Sequence, residues 1–308
     1  DRIAAAKAEL LKQATDAGLT ETRAQAYAEA NVDKADAADA LKTAVQTQAD
    51  DLAKLVAQGT AVGLTDSHAQ NYAKANLDTA EANLKAGLEK EALIQASEIK
   101  QSFAAQKDFA LDGYKNQQID VSRTNEQGAY VRRQGHMYSY QQPYSMVIGT
   151  WLYTDNLNGV SQLKNGASYN VDITGFATQQ VGMPMAGKAT YIGSGTYVNN
   201  ISELTYNVDF TNHTGSGYLL KADANGGKIT LNEGAIDKIN LKNIQVLGIS
   251  STAKGLDGAN GQYKLGFYGA EAQEIAGSLE MDSSSEIYKN NDGKFETSLA
   301  GQRGDITK

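Results

Sequence analysis

The amino-acid composition changes sharply near Tyr114, and this change limits the chain to two parts with different folds. Before Tyr114, Ala, Gln, Glu, Lys and Asp dominate. After it, Gly, Tyr, Asn, Ser and Thr rise together, and both prolines, Pro143 and Pro184, lie there. Ala and unbranched side chains lose little entropy in a helix, whereas short runs between glycine-containing turns favour strands. The chain of 308 residues is long enough for two domains, so we predict an α+β protein with its helices first.

The helical part contains an internal repeat, in which GLTETRAQAYAEANVDKA at position 18 recurs as GLTDSHAQNYAKANLDTA at position 63. The offset of 45 residues is typical of helical repeat units. Each unit begins with a glycine that can end the preceding helix and a threonine that can cap the next one. An aspartate after the short helix is predicted to cap a second, longer helix. These paired positions are Gly18 and Gly63, Thr20 and Thr65, and Asp33 and Asp78.

The two longer helices each carry apolar residues at helical spacing, which predicts one buried face per helix. Two interpretations of this helical part stay open: a structural spacer, or a module whose exposed faces bind a partner. The predicted buried stripes are Leu41, Val45, Leu52 and Val56 in one helix, and Leu84, Leu88, Ile94, Ile99 and Phe103 in the other.

The second part has the pattern of short strands joined by tight turns, with Asn-Gly and Asp-Gly pairs such as Asn158-Gly159 supplying the positive φ that hairpins need. Alternation is clear in Leu204, Tyr206, Val208 and Phe210, and again, with a bulge, from Ile239 to Val246. Closely spaced strands of this kind favour an up-and-down barrel. The predicted strands are 129–140, 145–153, 187–198, 203–210, 215–221, 228–231, 238–249, 261–268, 274–281 and 295–300.

Near the end of the chain, GFYGAEAQEIAGSLEM runs from Gly266 to Met281 and predicts a tight corner followed by a strand. We expect Glu271 and Glu274 to lie outside the core. Gly277 is expected to leave room for a large neighbouring side chain. The favoured role of this motif is architectural, the closure of the barrel.

Five segments follow in order along the second part of the chain: GKATYIGSG, LTYNVDFTNHTGSG, KITLNEGAI, GQYKLGFYGAEAQEIAGSLEM and SLAGQRGD, which begin at positions 187, 204, 228, 261 and 298. Together they resemble the C-terminal β-barrel of transferrin-binding protein B and its relatives, which include factor H-binding protein, the neisserial heparin-binding antigen and the hemophilins. The segment HMYSYQQPYSMVIGTW from His136 is similar to the stretch that leads into these barrels.

Composition, the helical repeat and the resemblance together predict three regions: a helical domain at 1–115, connecting strands at 116–186, and an eight-stranded antiparallel β-barrel at 187–308. The resemblance also implies a surface lipoprotein or secreted protein of a Gram-negative bacterium, recognised through its barrel by an outer-membrane translocator. The lipid-bearing cysteine is expected upstream of Asp1. The resemblance does not extend over residues 1 to about 116, because the helical repeat differs from the β-rich N-terminal domains of transferrin-binding protein B and factor H-binding protein. Specificity for transferrin or factor H therefore does not follow from the barrel, and ligand specificity is assigned to the helical part, with the barrel loops as the alternative.

These features predict a non-enzymatic protein that binds a host protein or glycan. The sequence has no cysteine nucleophile, and its histidines, His68, His136 and His213, lie in separate segments. The formal net charge of −8 argues against nucleic acid as a partner, and no metal site is predicted.

A haem carrier is the alternative, because the hemophilins share the barrel. Haem needs an axial His, Met or Tyr beside an apolar slot. His136 is the candidate ligand, with Met137 and Tyr138 beside it, and Met183 and Met185 as further candidates.

Overall fold

The computed structural model describes residues 2–106, 115–163, 168–197, 200–222, 227–255, 258–282 and 295–308. Two compact units are present, Asp1–Glu91 and Ala92–Lys308. Helices come first and strands follow, which confirms the predicted α+β class. No described helix is both long and apolar enough to cross a membrane. The helices are α1 (Arg2–Asp16), α2 (Glu21–Asn31), α3 (Ala37–Ala61), α4 (Asp66–Asn76) and α5 (Glu81–Gln106).

Both repeat glycines end a helix in the left-handed conformation, as predicted, with φ of +88° at Gly18 and +101° at Gly63. The amide of Leu19 donates to the Ala14 carbonyl at 3.1 Å, and the amide of Leu64 donates to the Gly59 carbonyl at the same distance. This six-residue closure satisfies carbonyls that the helix end leaves free. The same sequence pattern therefore builds the same helix end twice.

The caps differ from the prediction at two of the paired positions. Thr20 accepts a hydrogen bond from the amide of Arg23, whereas Thr65 occupies the cap position without a side-chain bond to an amide. The predicted caps Asp33 and Asp78 are wrong, because α3 begins at Ala37 and α5 at Glu81. Asp78 instead lies 2.8 Å from the guanidinium of Arg23, so the ion pair joins the two repeats.

The tyrosine at the centre of each repeat is buried, but the two hydroxyl groups differ. Tyr27 packs with Ala14, Leu19 and Ala24, and its hydroxyl donates to the carbonyl of Ala37 at 2.8 Å. Tyr72 is only 1% exposed, and its hydroxyl has no hydrogen-bond partner among the described residues.

The stripe predicted for α5 is wrong at Ile94, which is 42% exposed. From Ala92 onward, the buried positions recur every four residues and are mostly small. They are Ala92, Ala96, Lys100 and Ala104, with Gln95 beside them. A period of four keeps these residues on one helix face. Lys100 therefore lies at a buried position where the spacing predicts an apolar side chain.

The strands of the second unit form a five-stranded sheet and a barrel. Strands β1, β4 and β5 were not predicted, and the predicted strand 238–249 is wrong because a turn at Lys242 divides it between β9 and β10. The sheet strands are β1 (Lys115–Thr124), β2 (Tyr130–Gln141), β3 (Ser145–Leu157), β4 (Val160–Ser161) and β5 (Ser168–Gly175). The barrel strands are β6 (Lys188–Tyr197), β7 (Asn200–Asp209), β8 (Thr214–Leu220), β9 (Ile229–Leu241), β10 (Ile244–Lys254), β11 (Asn260–Tyr268), β12 (Glu274–Met281) and β13 (Phe295–Arg303).

The eight barrel strands pair with their neighbours in chain order, and β13 pairs with β6 to close the barrel. This closure confirms the predicted antiparallel eight-stranded barrel. Strand β2 pairs with β1 and β3, and both β4 and β5 pair with β3. Strands β3 and β5 contact β12 and β13, so the sheet packs against one side of the barrel wall.

Large side chains fill the barrel interior. Tyr263 donates to the carbonyl of Asn232 at 2.6 Å, and its hydroxyl lies 2.8 Å from that of Tyr206. Phe210 and Phe267 pack with ring centroids 6.4 Å apart. Burial raises the pKa of Tyr263 to about 12, so the phenol stays a neutral donor. An eight-stranded barrel is narrow enough for side chains to fill it.

Two glycines of the GFYGAEAQEIAGSLEM motif allow close packing, on opposite sides of the wall. A Cβ at Gly266 would lie 2.9 Å from Val246 and 3.1 Å from Leu241, which cover the outer face of β11. A Cβ at Gly277 would lie only 1.9 Å from the carbonyl oxygen of Lys264. Gly277 therefore admits the neighbouring backbone, not the large side chain that we expected.

We predict that removal of the hydroxyl group has different effects on stability at the two repeat tyrosines, Tyr27 and Tyr72. Tyr27→Phe should lower the free energy of unfolding by about 1 kcal/mol, because it removes the hydrogen bond from the Tyr27 hydroxyl to the Ala37 carbonyl. Tyr72→Phe should leave stability unchanged or raise it, because it removes a buried hydroxyl that has no partner in the described chain. Urea unfolding followed by circular dichroism at helical wavelengths checks both. Equal losses would contradict the assignment.

We also predict that Gly277→Ala lowers the stability of the barrel by about 2 kcal/mol or more, because the added methyl group meets backbone and not a mobile side chain. The neighbouring Ser278→Ala is the control and should change stability by less than about 0.5 kcal/mol. Fluorescence of the single tryptophan, Trp151, follows unfolding of this unit. Equal stability of the two variants would contradict the close backbone approach.

Candidate functional site

His136, the candidate site residue, lies on β2 in a row of rings that crosses three strands. It is directly opposite Trp151 on β3, and Trp151 is opposite Tyr169 on β5. The rings of His136 and Trp151 have centroids 5.8 Å apart and planes 16° apart. The hydroxyl of Tyr169 donates to the carbonyl of Thr196 in the barrel at 2.8 Å, so the row lies on the barrel-facing side of the sheet.

The other haem candidates are distributed over three environments. Tyr138 shares the face of His136, at 6.1 Å between ring centroids. Met137 packs on the opposite face, in the core formed with α5. Met183 belongs to the barrel core, and Met185 is 79% exposed. The structure thus brings His136 and Tyr138 together but packs Met137 and Met183 elsewhere. Haem binding at His136 stays a prediction.

The turn between β11 and β12 connects several parts of the second unit. The hydroxyl of Thr178 donates to the Gly269 carbonyl at 2.7 Å, and the amide of Gly269 donates to the Phe176 carbonyl at 2.8 Å. From inside the barrel, Tyr191 donates to the carbonyl of Ala272 at 2.6 Å. This turn therefore holds the segment that leads from the sheet into the barrel.

Glu274, at the start of β12, is 2% exposed, so the expectation that it lies outside the core is wrong. Its two carboxylate oxygens accept from the amide of Tyr144 at 3.0 and 3.1 Å, and one accepts from the hydroxyl of Ser145 at 2.8 Å. Burial raises the pKa of Glu274 to about 7, although these hydrogen bonds and the ammonium of Lys100 act in the opposite direction. Glu271, three residues earlier, is half-buried.

Lys100 on α5 contacts carbonyl groups of the turn between β2 and β3, the turn that also contains Tyr144. Its ammonium donates to the carbonyls of Gln142 at 2.7 Å and Pro143 at 2.8 Å, and the residue is 9% exposed. The Gln142 side chain donates to Ser145 Oγ at 2.9 Å and to the Ile275 carbonyl at 3.1 Å. Sequence reasoning missed both residues. The sequence signal that could have revealed Lys100 is its place in a series with a spacing of four residues, in which the other positions, Ala92, Ala96 and Ala104, are alanines.

Open surfaces lie on the outside of both units. In the first unit, a groove of about 620 Å³ between α2 and α3 is lined by residues that include Arg23, Tyr27, Thr43 and Thr47. On the outer wall of the barrel, a polar groove of about 700 Å³ includes Gln262. Within the described ranges, no group of three or more His, Cys, Asp or Glu side chains is placed to hold a metal ion.

The haem prediction is tested by titrating the full chain with haem and following the Soret band. If His136 is the axial ligand, the band shifts and His136→Ala abolishes the shift. His213→Asn is the control, because His213 lies in an exposed turn with φ of +54° that asparagine accepts. An unshifted band, or a shift that persists in His136→Ala, contradicts the assignment.

Much of the barrel lies in a part of the chain that matches a known protein family. Residues 181–279 match the family model described as "Factor H binding protein, C-terminal". The match begins before β6 and ends in β12, and so includes most of the barrel wall. A comparison with curated proteins gives no match. The similarity to this family therefore covers residues 181–279 of a chain of 308 residues, within the part that forms the closed eight-stranded barrel.

Proposed function

We propose that the chain is a non-enzymatic bacterial surface or secreted protein that binds a host macromolecule, for colonisation, immune evasion or nutrient acquisition. The observation that carries this proposal is the match of residues 181–279, within a closed barrel, to the C-terminal domain of factor H binding protein. Because that family is described by its binding of factor H, host factor H is the first partner to test. A lipid anchor upstream of Asp1 and recognition of the barrel by an outer-membrane translocator belong to the same proposal.

The packing of the barrel favours contact with a macromolecule on the outside. Tyr206, Phe210, Tyr263 and Phe267 are each at most 1% exposed and fill the interior. Small-molecule carriers of the barrel type instead keep an internal cavity for their ligand. The outer strand faces and the helical unit are therefore the surfaces that a partner can reach.

We assign the partner contact to the helical unit and propose its α2–α3 groove as the place to test. Thr43 and Thr47 are exposed on α3, one turn apart, and line this groove with Tyr27. Both hydroxyl groups bond to carbonyls of their own helix, at 3.0 and 2.9 Å, so substitution there leaves other elements untouched. Exposed small side chains beside a buried aromatic ring leave space for a partner's side chains.

The proposal is tested by measuring binding of the full chain to purified factor H and to whole host serum by biolayer interferometry, with captured proteins identified by mass spectrometry. The double variant Thr43→Arg/Thr47→Arg should weaken binding at least tenfold, because two long cations fill the groove. Gln262→Arg, in the outer groove of the barrel, is the matched control and should bind as the parent chain does.

Loss of binding in Gln262→Arg alone would move the contact from the helices to the barrel. Absence of any captured serum protein would contradict host binding. Surface location is checked separately by protease treatment of intact cells that express the chain, where a surface protein is digested and a periplasmic one is protected.

A further inference from the structure

Residues 142–145, which are the turn between β2 and β3 and the first residue of β3, lie between the buried carboxylate of Glu274 and the buried ammonium of Lys100. Glu274 on β12 accepts from the amide of Tyr144 and the hydroxyl of Ser145. Lys100 on α5 donates to the carbonyls of Gln142 and Pro143. The turn thus presents its amides to a carboxylate and its carbonyls to an ammonium, which is the favourable orientation of peptide dipoles between opposite charges.

The contact between turn and barrel is polar and sealed from solvent. Ser145 is fully buried, Gln142 and Glu274 are each 2% exposed, and Tyr144 is 3% exposed. Burial of an ionised carboxylate in such a place is unfavourable unless hydrogen bonds and a counter-charge compensate for the lost water. The contact is therefore sensitive to whether Glu274 carries a charge.

Among the described residues, the cation that acts on Glu274 is the ammonium of Lys100 from α5. The sheet contributes Tyr144 and Ser145, which face the carboxylate through hydrogen bonds. Within the barrel, Glu274 is directly opposite Tyr268 on β11 and the neutral Gln302 on β13. Burial raises the pKa of Tyr268, so this phenol stays neutral through the physiological range.

We propose that Glu274 and residues 142–145 form a proton-controlled clasp between the sheet and the barrel, which tightens as the solution becomes acidic and loosens above neutral pH. Protonation keeps part of the hydrogen-bond network, because one carboxyl oxygen still accepts from the Tyr144 amide. The other can donate its proton to the Ser145 hydroxyl, which acts as donor or acceptor.

Proton linkage gives the direction in which the stability of the closed clasp changes with pH. In the closed clasp, burial raises the pKa of Glu274 to about 7, whereas a solvated glutamate titrates near 4.3. The closed form therefore binds the proton more tightly than the open form. Its advantage is complete below about pH 4.3 and is lost as the pH rises through about 7. Lys100 moderates the effect, because its positive charge favours the ionised carboxylate.

The experiment is hydrogen exchange of the Tyr144 and Ser145 amides in the full chain, measured by NMR from pH 5 to pH 8 and corrected for intrinsic exchange rates. We expect protection to fall by about tenfold per pH unit between pH 5 and 7 and then to level off, because a difference of one pKa unit is a factor of ten in the equilibrium. This local readout separates the clasp from Glu296, a half-buried carboxylate whose pKa is also raised.

Three variants make the test specific. Glu274→Gln should abolish the pH dependence of protection, because a neutral amide can still accept from Tyr144. Lys100→Met should move the levelling point to higher pH, because it removes the cation that favours ionised Glu274. Glu203→Gln, an exposed carboxylate on the same barrel, should behave as the parent chain does.

Protection of Tyr144 that is the same at pH 5 and pH 8 would overturn the proposal, as would full pH dependence in Glu274→Gln. Should Glu274→Gln not fold, the carboxyl ¹³C chemical shift of Glu274 in the parent chain decides the matter. A midpoint near 7 supports the clasp, and a midpoint near 4.3 contradicts it.

Discussion

The pairing of β13 with β6 is the constraint on which the second unit depends. This contact joins the last strand of the chain to the first strand of the barrel, from Ser298 opposite Thr196 to Arg303 opposite Tyr191. It is close because a Cβ at Gly193 would lie 1.9 Å from the Ala300 carbonyl. Closure removes both sheet edges, which would otherwise present unpaired backbone groups to other chains. It also seals the core around Tyr191, Tyr206 and Phe267.

The outer wall at β12 and β13 is where the sheet attaches. Strands β3 and β5 pack there, with the hydroxyl of Tyr169 bonded to the Thr196 carbonyl and Glu274 bonded to the β2–β3 turn. Buried polar contacts of this kind add little net stability compared with apolar packing, but each requires one geometry. We interpret them as the groups that fix how the sheet sits on the barrel, with Glu274 making that attachment depend on pH.

The two units have different capacities for binding. Side chains fill the barrel interior. Residues 181–279, which include most of the barrel, are similar to the C-terminal domain of factor H binding protein. The helical unit lies outside that match and carries a groove bordered by alanine and hydroxyl-bearing side chains together with charged ones, Arg23, Asp36 and Asp39 among them. This distribution supports our proposal that the helices contact the partner. Serum capture with matched variants in the two units is the measurement that separates their roles.

Local patterns in the sequence are enough to predict the class of each half, the repeated helix ends at Gly18 and Gly63, and the alternation that builds β7, because these depend on residues close in the chain. The burial of Lys100, the enclosure of Glu274 and the close approach of backbone at Gly277 emerge only when the elements pack together. This packing also sets where α3 and α5 begin, since Asp78 pairs with Arg23 and does not cap α5. Each of these depends on residues far apart in sequence, such as Tyr144 and Glu274, whose meeting no local pattern encodes. Burial and charge at such contacts are properties of the assembled strands and helices.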